Sequence, residues 1–401
     1  MTPIRLSTLV VLTLFAFFVS NFFLLAGNCN SFLSSSSNND ASYPRLLQVP
    51  PPTTTTSQGG GRGGGGGGYD SDDDEEETKY NFTTAICVVV KDAEPYFEEW
   101  AEYHLEGMKF DAIYIYDDSP TFELRNWFQN TRSDETFSKV QVLHYNRTLD
   151  EENGEAEDKI VQNFVYRDCV SLFGTSETGP KHDYFAFLDV DEFLVLPGYH
   201  SKNKNNKNNN KYSDIRGVLQ DYLVPYGGAL VVNWVLMGSS NRAVYSPLPV
   251  TKRFQYRSNH THNVIKTIAK ATDYVENRNP HSVSVVAGTD IHTTLYPGKL
   301  HKEASDPGGT GASDHDYPSD VLLLYHYRYT SKKEYIFKRC MRGNVDRGSI
   351  WCNRKGNSVT TSRGPDHIQS FVGDVFDDTA WRFLTERVPK YKFYDEFKDF
   401  H

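Results

Sequence analysis

One stretch limits what this chain can fold into more than any other: residues 184–196, YFAFLDVDEFLVL, where acids interrupt an apolar run that then resumes. A short apolar run bounded by polar residues is typical of a buried strand in an α/β sheet. Side chains alternate along a strand, so a regular strand puts Asp189 and Asp191 on one face and Glu192 on the other. The stretch therefore predicts an α/β fold with two carboxylates at one strand end.

Asp189 and Asp191 are candidate metal ligands. Two carboxylates that lie close together repel each other unless a cation lies between them or one is protonated. Oxygen ligands favour Mn²⁺ or Mg²⁺, and such ions complete their shells with substrate phosphates. The alternative is an acidic strand end that faces solvent. However, the flanking residues are as apolar as those of a buried strand, and a buried charge needs a partner or a metal.

Length and charge exclude some classes of protein. The 401 residues can form one large or two small domains. Of the net charge of −10, seven acids lie in a single run within residues 70–77, so the remainder is only mildly acidic. No basic stripe precedes the folded part, which disfavours a nucleic-acid partner.

The N-terminus predicts a membrane anchor. Residues 6–27 are nearly all apolar, and these 22 positions suffice to cross a bilayer, which takes about 20. A cleaved signal peptide has a shorter apolar region of about 7–15 residues, so an uncleaved signal-anchor is favoured over cleavage near residues 26–28. Both routes place the rest of the chain in the secretory lumen, and sequons at Asn81, Asn146 and Asn259 agree with that compartment.

Composition divides the chain into three parts. Residues 1–27 are a cytoplasmic tip and the signal-anchor transmembrane helix, and residues 28–79 are a disordered stem of Ser, Asn, Gly and acidic tracts. Residues 80–401 are patterned as a folded domain, with an Asn/Lys-rich disordered insertion at 200–213.

Five cysteines are too few for a disulfide scaffold. Cys87 and Cys169 stand in apolar contexts, so we expect them to pack as small hydrophobic residues. Cys340 and Cys352 are candidates for a disulfide in an oxidising lumen. Cys29, just beyond the membrane segment, is a candidate link between two chains and hence for a homodimer.

Within the folded part, hydrophobic periodicity predicts strands that alternate with helices. Besides residues 184–196, β segments are predicted at 85–90, 112–116, 140–144, 229–237, 250–256, 263–269, 282–286 and 321–329. Helices are predicted from Pro95 to Gly107, at 157–172, from a capping box at residues 331–334, and in the tail 390–401.

Acids follow three of these predicted strands: Asp92 and Glu94, then Asp117 and Asp118, then Asp189 and Asp191. In right-handed β-α-β units the carboxyl ends of the strands meet at one edge of the sheet. We expect Asp117 and Asp118 to bind hydroxyl or ring N–H groups of a nucleotide, although each acid alone is equally well explained as an ordinary loop acid. A dinucleotide fold is disfavoured, because G-x-G-x-x-G is absent from the sequence.

Four motifs in this order resemble glycosyltransferase family 92 and its relatives: CVVVKDAEPYFEEWAEYHLEGM from Cys87, AIYIYDDSP from Ala112, FAFLDVDEFLVL from Phe185 and LYHYRYTSKKEYIFKRCMRG from Leu324. The resemblance spans about residues 82–345. It implies a GT-A-type, Rossmann-like mixed sheet flanked by helices, in a type II Golgi membrane protein with a luminal catalytic domain. It also implies a metal-dependent, inverting transferase that uses a nucleotide sugar, with UDP-galactose as donor and a glycan or wall polysaccharide as acceptor.

The same resemblance assigns roles by position. Lys91, Asp92 and Glu94 lie at the nucleotide, and Asp117 and Asp118 lie near its base and ribose. The metal motif is Asp189-Val190-Asp191.

In the C-terminal motif, His326 is expected to complete the metal shell or to touch the diphosphate, and its alternative is a buried structural histidine. Arg328 and Lys332 are expected to neutralise the departing diphosphate, and solvated surface cations are the alternative. The catalytic base is unassigned, with Asp290 and Asp314 as candidates. His281, His292 and His301 are expected to be structural or exposed.

Two departures concern the acceptor side of the site. Met237 stands where the family has phenylalanine before Gly-Ser-Ser, and the insertion at 200–213 is extra. A nucleotidyltransferase is a competing function, but it would want a glycine-rich phosphate loop, which is not found before the metal motif. A catalytically inactive, membrane-tethered carbohydrate- or nucleotide-binding protein predicts broken acidic motifs, whereas Asp189 and Asp191 are intact.

Overall fold

A computed structural model of the protein describes residues 80–119, 124, 135–144, 161–175, 181–197, 211–299, 321–338 and 371–397. All of them belong to one compact unit, Gly61–His401. The predicted anchor and stem lie outside the described residues, as does the insertion up to residue 210. None of the described helices is long and apolar enough to cross a membrane.

Thirteen strands are described, and nine of them form one sheet in the order β3-β2-β1-β4-β8-β6-β12-β5, with β11 beside β6. They are β1 Thr84–Val90, β2 Ala112–Asp117, β3 Val140–His144, β4 Tyr184–Phe187, β5 Glu192–Val195, β6 Ala229–Leu236, β7 Tyr256–Arg257, β8 Ile265–Lys270, β9 Tyr274–Asn279, β10 Ser282–Val285, β11 Ile291–His292, β12 Leu323–His326 and β13 Val375–Phe376. The sheet is mixed, because β8 runs antiparallel to β4 and β6 while β1 runs parallel to β2 and β4.

Helices flank this sheet. They are α1 Glu94–Glu102, which continues as a π-helical turn at Tyr103–Gly107, α2 Glu135–Ser138, α3 Val161–Phe173, α4 Ile215–Tyr222, α5 Val250–Arg253, α6 Lys332–Ile336, α7 Thr379–Arg387 and a 3₁₀ helix at Pro389–Glu396. The predicted capping box is confirmed, since the Ser331 hydroxyl accepts from Glu334 N–H and the Glu334 carboxylate accepts from Ser331 N–H. Pro95 lies in the first turn of α1, as predicted.

The predicted β segment at 250–256 is wrong. Residues Val250–Arg253 form a short helix, and only Tyr256–Arg257 is a strand. The buried Glu99 carboxylate of α1 accepts hydrogen bonds from the backbone N–H groups of Val250 and Thr251, the latter at 2.9 Å. This cap comes from a distant element, so local periodicity gives no sign of it.

The sheet is buried on both faces. Ile86, Val88 and Val90 of β1 contribute to the core on the side of α1 and α7, and Ala85, Cys87 and Val89 contribute to the core on the side of α3. Contrary to expectation, Cys87 and Cys169 form a disulfide that joins β1 to α3. Cys340 and Cys352 lie outside the described residues.

Strand pairing brings the acid-bearing strand ends together, as predicted. β1, β2 and β4 are parallel, with Val90 level with Asp117 and Cys87 level with Phe187. At the other side of the sheet β12 runs parallel to β6, with His326 level with Leu236. This mixed α/β arrangement with flanking helices is Rossmann-like.

Candidate functional site

The acids after β4 lie in a turn rather than within a strand. β4 ends at Phe187, residues 188–191 turn, and Glu192 begins β5, which pairs antiparallel with β12. The Glu192 carboxylate folds back and accepts from the Asp189 backbone N–H at 2.8 Å. The prediction of one continuous strand at 184–196 is therefore wrong. The prediction that Asp189 and Asp191 lie on one face of that strand and Glu192 on the opposite face is wrong for the same reason.

Asp189 is held by a buried network. Its Oδ2 accepts from the Lys266 ammonium at 3.0 Å, and its Oδ1 accepts from Gln162 Nε2 at 2.7 Å. The same ammonium lies 3.5 Å from Glu192 Oε2. Burial would lower the pKa of Lys266, but Asp189 and Glu192 outweigh it and raise that pKa. Lys266 is therefore a permanent cation on Asp189.

Asp191 contacts different partners. Its Oδ2 contacts the Lys338 ammonium and lies 3.5 Å from His326 Nε2. Burial would raise the pKa of Asp191, yet Lys338 and His326 hold it well below its usual range. Burial lowers the pKa of His326, and Asp191 offsets this only in part. Asp191 is thus held as an ionised carboxylate beside the imidazole of His326.

Trp234 of β6 lies beside this cluster, and its ring contacts three histidine rings. The centroid of its ring lies 4.1 Å from that of His326, 5.2 Å from that of His281 and 6.3 Å from that of His262. Trp234 Nε1 and His326 Nδ1 are buried without a hydrogen-bond partner within the part of the chain that the structure describes. His281, expected to be structural or exposed, is half-buried at the edge of the cluster. His292 is a buried structural histidine near the Gly227 carbonyl, and His301 lies outside the described residues.

Asp117, predicted to bind the nucleotide, is engaged by its own loop. Its carboxylate oxygens accept from the backbone N–H groups of Ser119 at 3.1 Å and Leu124 at 3.0 Å. Asp118 N–H donates to the Val90 carbonyl at 2.8 Å. Asp117 thus shapes the loop after β2, and Asp118 fixes that loop to β1.

The loop after β1 lies beside the loop after β2. Asp92 has a left-handed backbone with φ of 42°, and its N–H donates to the Ser119 hydroxyl at 2.8 Å. Lys91 is half-buried in this loop, and Glu94 begins α1. The structure therefore brings the predicted nucleotide residues to one sheet edge, although in strained or loop-forming positions.

The predicted diphosphate residues follow β12. Arg328 lies over the Tyr329 ring at 5.8 Å. Burial and, to a smaller extent, the charge of Arg328 lower the pKa of His326 and His262. Lys332 is half-buried in the first turn of α6, and its N–H donates to the Arg242 carbonyl at 3.1 Å. Arg328 is thus close to the cluster.

Asp290, one of the two candidate bases, is not brought to the cluster. The Asp290 carbonyl accepts from Ala229 N–H at 3.1 Å, which places Asp290 where β6 begins. His326 is level with Leu236 at the other end of β6, and seven residues of strand span roughly 23 Å. Asp314 lies outside the described residues, so the catalytic base stays unassigned.

Sequence reasoning missed Gln162, Lys266 and Lys338. Lys266 had a signal, since it is a lone charge within a predicted apolar strand, and such a charge needs a buried partner. Lys338 had none, because it resembles the other cations of its segment.

The residues around Asp191 fit a divalent ion that is shared with a substrate. Among the described residues, no group of three or more His, Cys, Asp or Glu side chains could hold a metal by itself. Asp191 Oδ2 and His326 Nε2 nevertheless lie 3.5 Å apart, and a carboxylate and an imidazole are side chains that bind metals. Two protein ligands suit an ion that completes its shell with phosphates and water.

Fold and site together define a Rossmann-like α/β protein with an acid–cation cluster at the carboxyl edge of its sheet. No protein-family model matches the chain, and no curated protein matches it.

Two solved structures are similar to parts of the chain. HddC from Yersinia pseudotuberculosis matches with 8% identity and a TM-score of 0.27, over 47% of this chain and 76% of that chain. Core-mannan synthase A from Aspergillus fumigatus, in its Mn/GDP form, matches with 12% identity and a TM-score of 0.21, over 45% of this chain and 51% of that one. At these scores neither structure carries a conclusion about this chain.

Proposed function

We propose that this protein is a metal-dependent, inverting glycosyltransferase of the GT-A type. It moves a sugar, with galactose from UDP-galactose as the first candidate, to a glycan or polysaccharide acceptor in the Golgi lumen. The observation that carries the proposal is the approach of Asp191 Oδ2 to His326 Nε2, 3.5 Å apart at the carboxyl edge of the sheet, with the Lys338 ammonium on the same oxygen. The resemblance to glycosyltransferase family 92, which rests on four sequence motifs, supports the choice of reaction.

The side chains of the candidate site have separate tasks in this reaction. Asp191 and His326 would hold a divalent ion, which when bound offsets the charge that develops on the departing diphosphate. Arg328, close to His326, adds positive charge for the same leaving group. The loops that carry Asp92 and Asp118 would receive the nucleoside at the neighbouring strand ends.

The acceptor half of the reaction needs a base. Inversion requires that a base take the proton of an acceptor hydroxyl as it attacks the face of the sugar opposite the diphosphate. Asp290 lies at the wrong end of β6 for that task, so the base belongs to another group.

A luminal location agrees with the Cys87–Cys169 disulfide, because disulfides persist in oxidising compartments. The apolar segment at 6–27 supports a single-pass anchor with the folded domain on the luminal side.

Donor hydrolysis tests the proposal. The full-length chain in mild detergent is incubated with a panel of UDP- and GDP-sugars, with Mn²⁺ or with EDTA, and released nucleotide is measured. We expect Mn²⁺-dependent hydrolysis of one donor and a loss of at least about 100-fold in Asp191→Asn, because the carboxylate that holds the cation is gone. Glu276→Gln, an acid-to-amide change at an exposed position on β9, is the matched control and should stay within about twofold.

Two results would count against the assignment. If Asp191→Asn hydrolyses donors as fast as the unmodified chain, the metal role of Asp191 fails. If donors bind in the presence of Mn²⁺ without turnover, with and without glycan acceptors, the protein is a nucleotide- or carbohydrate-binding protein on the same fold.

A further inference from the structure

Each of the two aspartates has its own lysine, and the two lysines differ in burial. The Lys266 side chain on Asp189 is 1% exposed, whereas the Lys338 side chain on Asp191 is 24% exposed. Lys266 lies within β8 at the middle of the sheet. Lys338 follows α6, outside the sheet. One ammonium is therefore enclosed by the fold, and the other reaches the cluster from its rim.

This difference decides which lysine can leave. Moving Lys266 from its place would take the cation away from Asp189 and separate its ammonium from the fully buried Glu192, and breaking such a pair around a buried ammonium is strongly destabilising. Moving Lys338 costs less free energy, because its ammonium can move to water while its aliphatic stem stays against the protein.

A cation that replaces Lys338 would find a second ligand in place. The oxygen of Asp191 that contacts Lys338 is the one that lies 3.5 Å from His326 Nε2. One and the same Asp191 oxygen thus contacts the ammonium of Lys338 and has an imidazole nitrogen 3.5 Å away.

We propose that Lys338 is an exchangeable counter-ion of Asp191. Its ammonium neutralises this carboxylate in the free protein and leaves it when a divalent cation binds, whereas Lys266 stays on Asp189. This inference rests on the proposed function for the arrival of a cation together with a nucleotide diphosphate. The released ammonium remains beside the site and pairs with the diphosphate, so Lys338 is a positioning residue that makes cation and nucleotide bind together.

The exchange has a direct consequence for metal binding without nucleotide. In the unmodified chain a divalent cation has to displace an ammonium, so its affinity is low. Removal of that ammonium exposes the full charge of Asp191 to the incoming cation, which strengthens the attraction. A residue that merely supports the local structure would not tighten metal binding when it is replaced.

The experiment titrates Mn²⁺ into the full-length chain without nucleotide and follows free Mn²⁺ by electron paramagnetic resonance. We expect Lys338→Met to bind Mn²⁺ at least about tenfold more tightly than the unmodified chain, and Lys338→Gln to behave alike. Lys333→Met, which replaces an exposed lysine of the preceding helix α6, should change the affinity by less than about twofold. The gain should vanish in the double variant Lys338→Met with Asp191→Asn. With Mn²⁺ saturating, Lys338→Met should bind UDP more weakly than the unmodified chain.

The outcomes separate the two proposals. Unchanged or weaker Mn²⁺ binding in both Lys338 variants, with circular dichroism spectra that match the unmodified chain, overturns the exchange even if donor hydrolysis is found. Tighter Mn²⁺ binding in these variants supports the exchange even if no donor is hydrolysed, in which case the proposed reaction alone fails.

Discussion

His104 is a fully buried histidine whose two ring nitrogens both have partners. Nδ1 lies 2.8 Å from the Trp100 carbonyl, and Nε2 lies 3.4 Å from the Leu194 N–H. A carbonyl requires a donor and an N–H requires an acceptor, so the ring is neutral with its proton on Nδ1. Burial lowers the pKa of His104 to about 3, which means that an added proton would have to break the bond to Leu194.

The stability of the folded domain should therefore fall as the pH falls from 6.5 towards 3. In the unfolded chain His104 titrates near its ordinary value of about 6.5, so between these values the unfolded state binds more protons. From pH 7.5 to pH 5 this single group should cost about 2 kcal/mol in the free energy of unfolding. Urea unfolding at the two pH values measures the loss.

His104→Gln is the test variant, because an amide can donate to Trp100 and accept from Leu194 without titrating. We expect its free energy of unfolding to depend on pH less steeply than that of the unmodified chain. His260→Gln, at an exposed position, should leave the dependence unchanged. Equal pH dependence in His104→Gln and the unmodified chain would exclude His104 as the source.

Some residues of the candidate site could be predicted from the sequence, and others could not. Asp189, Asp191 and His326 were recognisable, because acids and a histidine at the ends of apolar strands are conspicuous. The partners Gln162 and Lys338 were not, since they reach the cluster from separate elements whose docking depends on the whole fold.

At the scale of elements, hydrophobic periodicity predicts the main strands of the sheet. It does not predict the break between β4 and β5. Both halves of residues 184–196 are apolar, so a single strand is the simplest interpretation of the pattern. The halves in fact pair with different neighbours, β4 in parallel with β1 and β5 antiparallel with β12. Strand partners are a tertiary property, and for that reason the turn at Asp189–Asp191 could only be seen in three dimensions.

The disulfide between β1 and α3 should contribute measurably to stability. It joins residues 82 apart in sequence, and bridges that close long loops contribute roughly 2–4 kcal/mol. We expect the double variant Cys87→Ala with Cys169→Ala to lose that amount in urea unfolding. Helix α3 also carries Gln162, which holds Asp189, so the bridge fixes one side of the candidate site.

A reducing agent provides the control for this bridge. Dithiothreitol should lower the unfolding midpoint of the unmodified chain towards that of the double variant and should leave the double variant unchanged. A peptide map of the unreduced chain should contain a fragment that links Cys87 to Cys169. If the two cysteines are free in the full-length chain expressed in eukaryotic cells, the pairing is refuted.

At the scale of the whole molecule, the acid–cation cluster depends on the balance of charge, and the disulfide beside it depends on the redox state of the surroundings. The carboxyl edge of the sheet concentrates acids, and the described cations Lys266, Lys338 and Arg328 offset their charge. The bridge at Cys87 requires an oxidising environment to form. A chain retained in the cytosol would thus lack the covalent link between α3 and the sheet.

The luminal location can be tested through two exposed sequons of the folded domain. Asn81, before β1, and Asn259, after β7, are both exposed, so the glycosylation machinery of the secretory pathway can reach them. In chain expressed in eukaryotic cells, we expect peptide N-glycosidase to increase electrophoretic mobility, and Asn81→Gln and Asn259→Gln each to remove one step. Ser258→Ala, which leaves the sequon at Asn259 intact, is the control. A full-length chain that carries no glycan at either position would place the domain outside the lumen, and the Golgi reaction would fall with it.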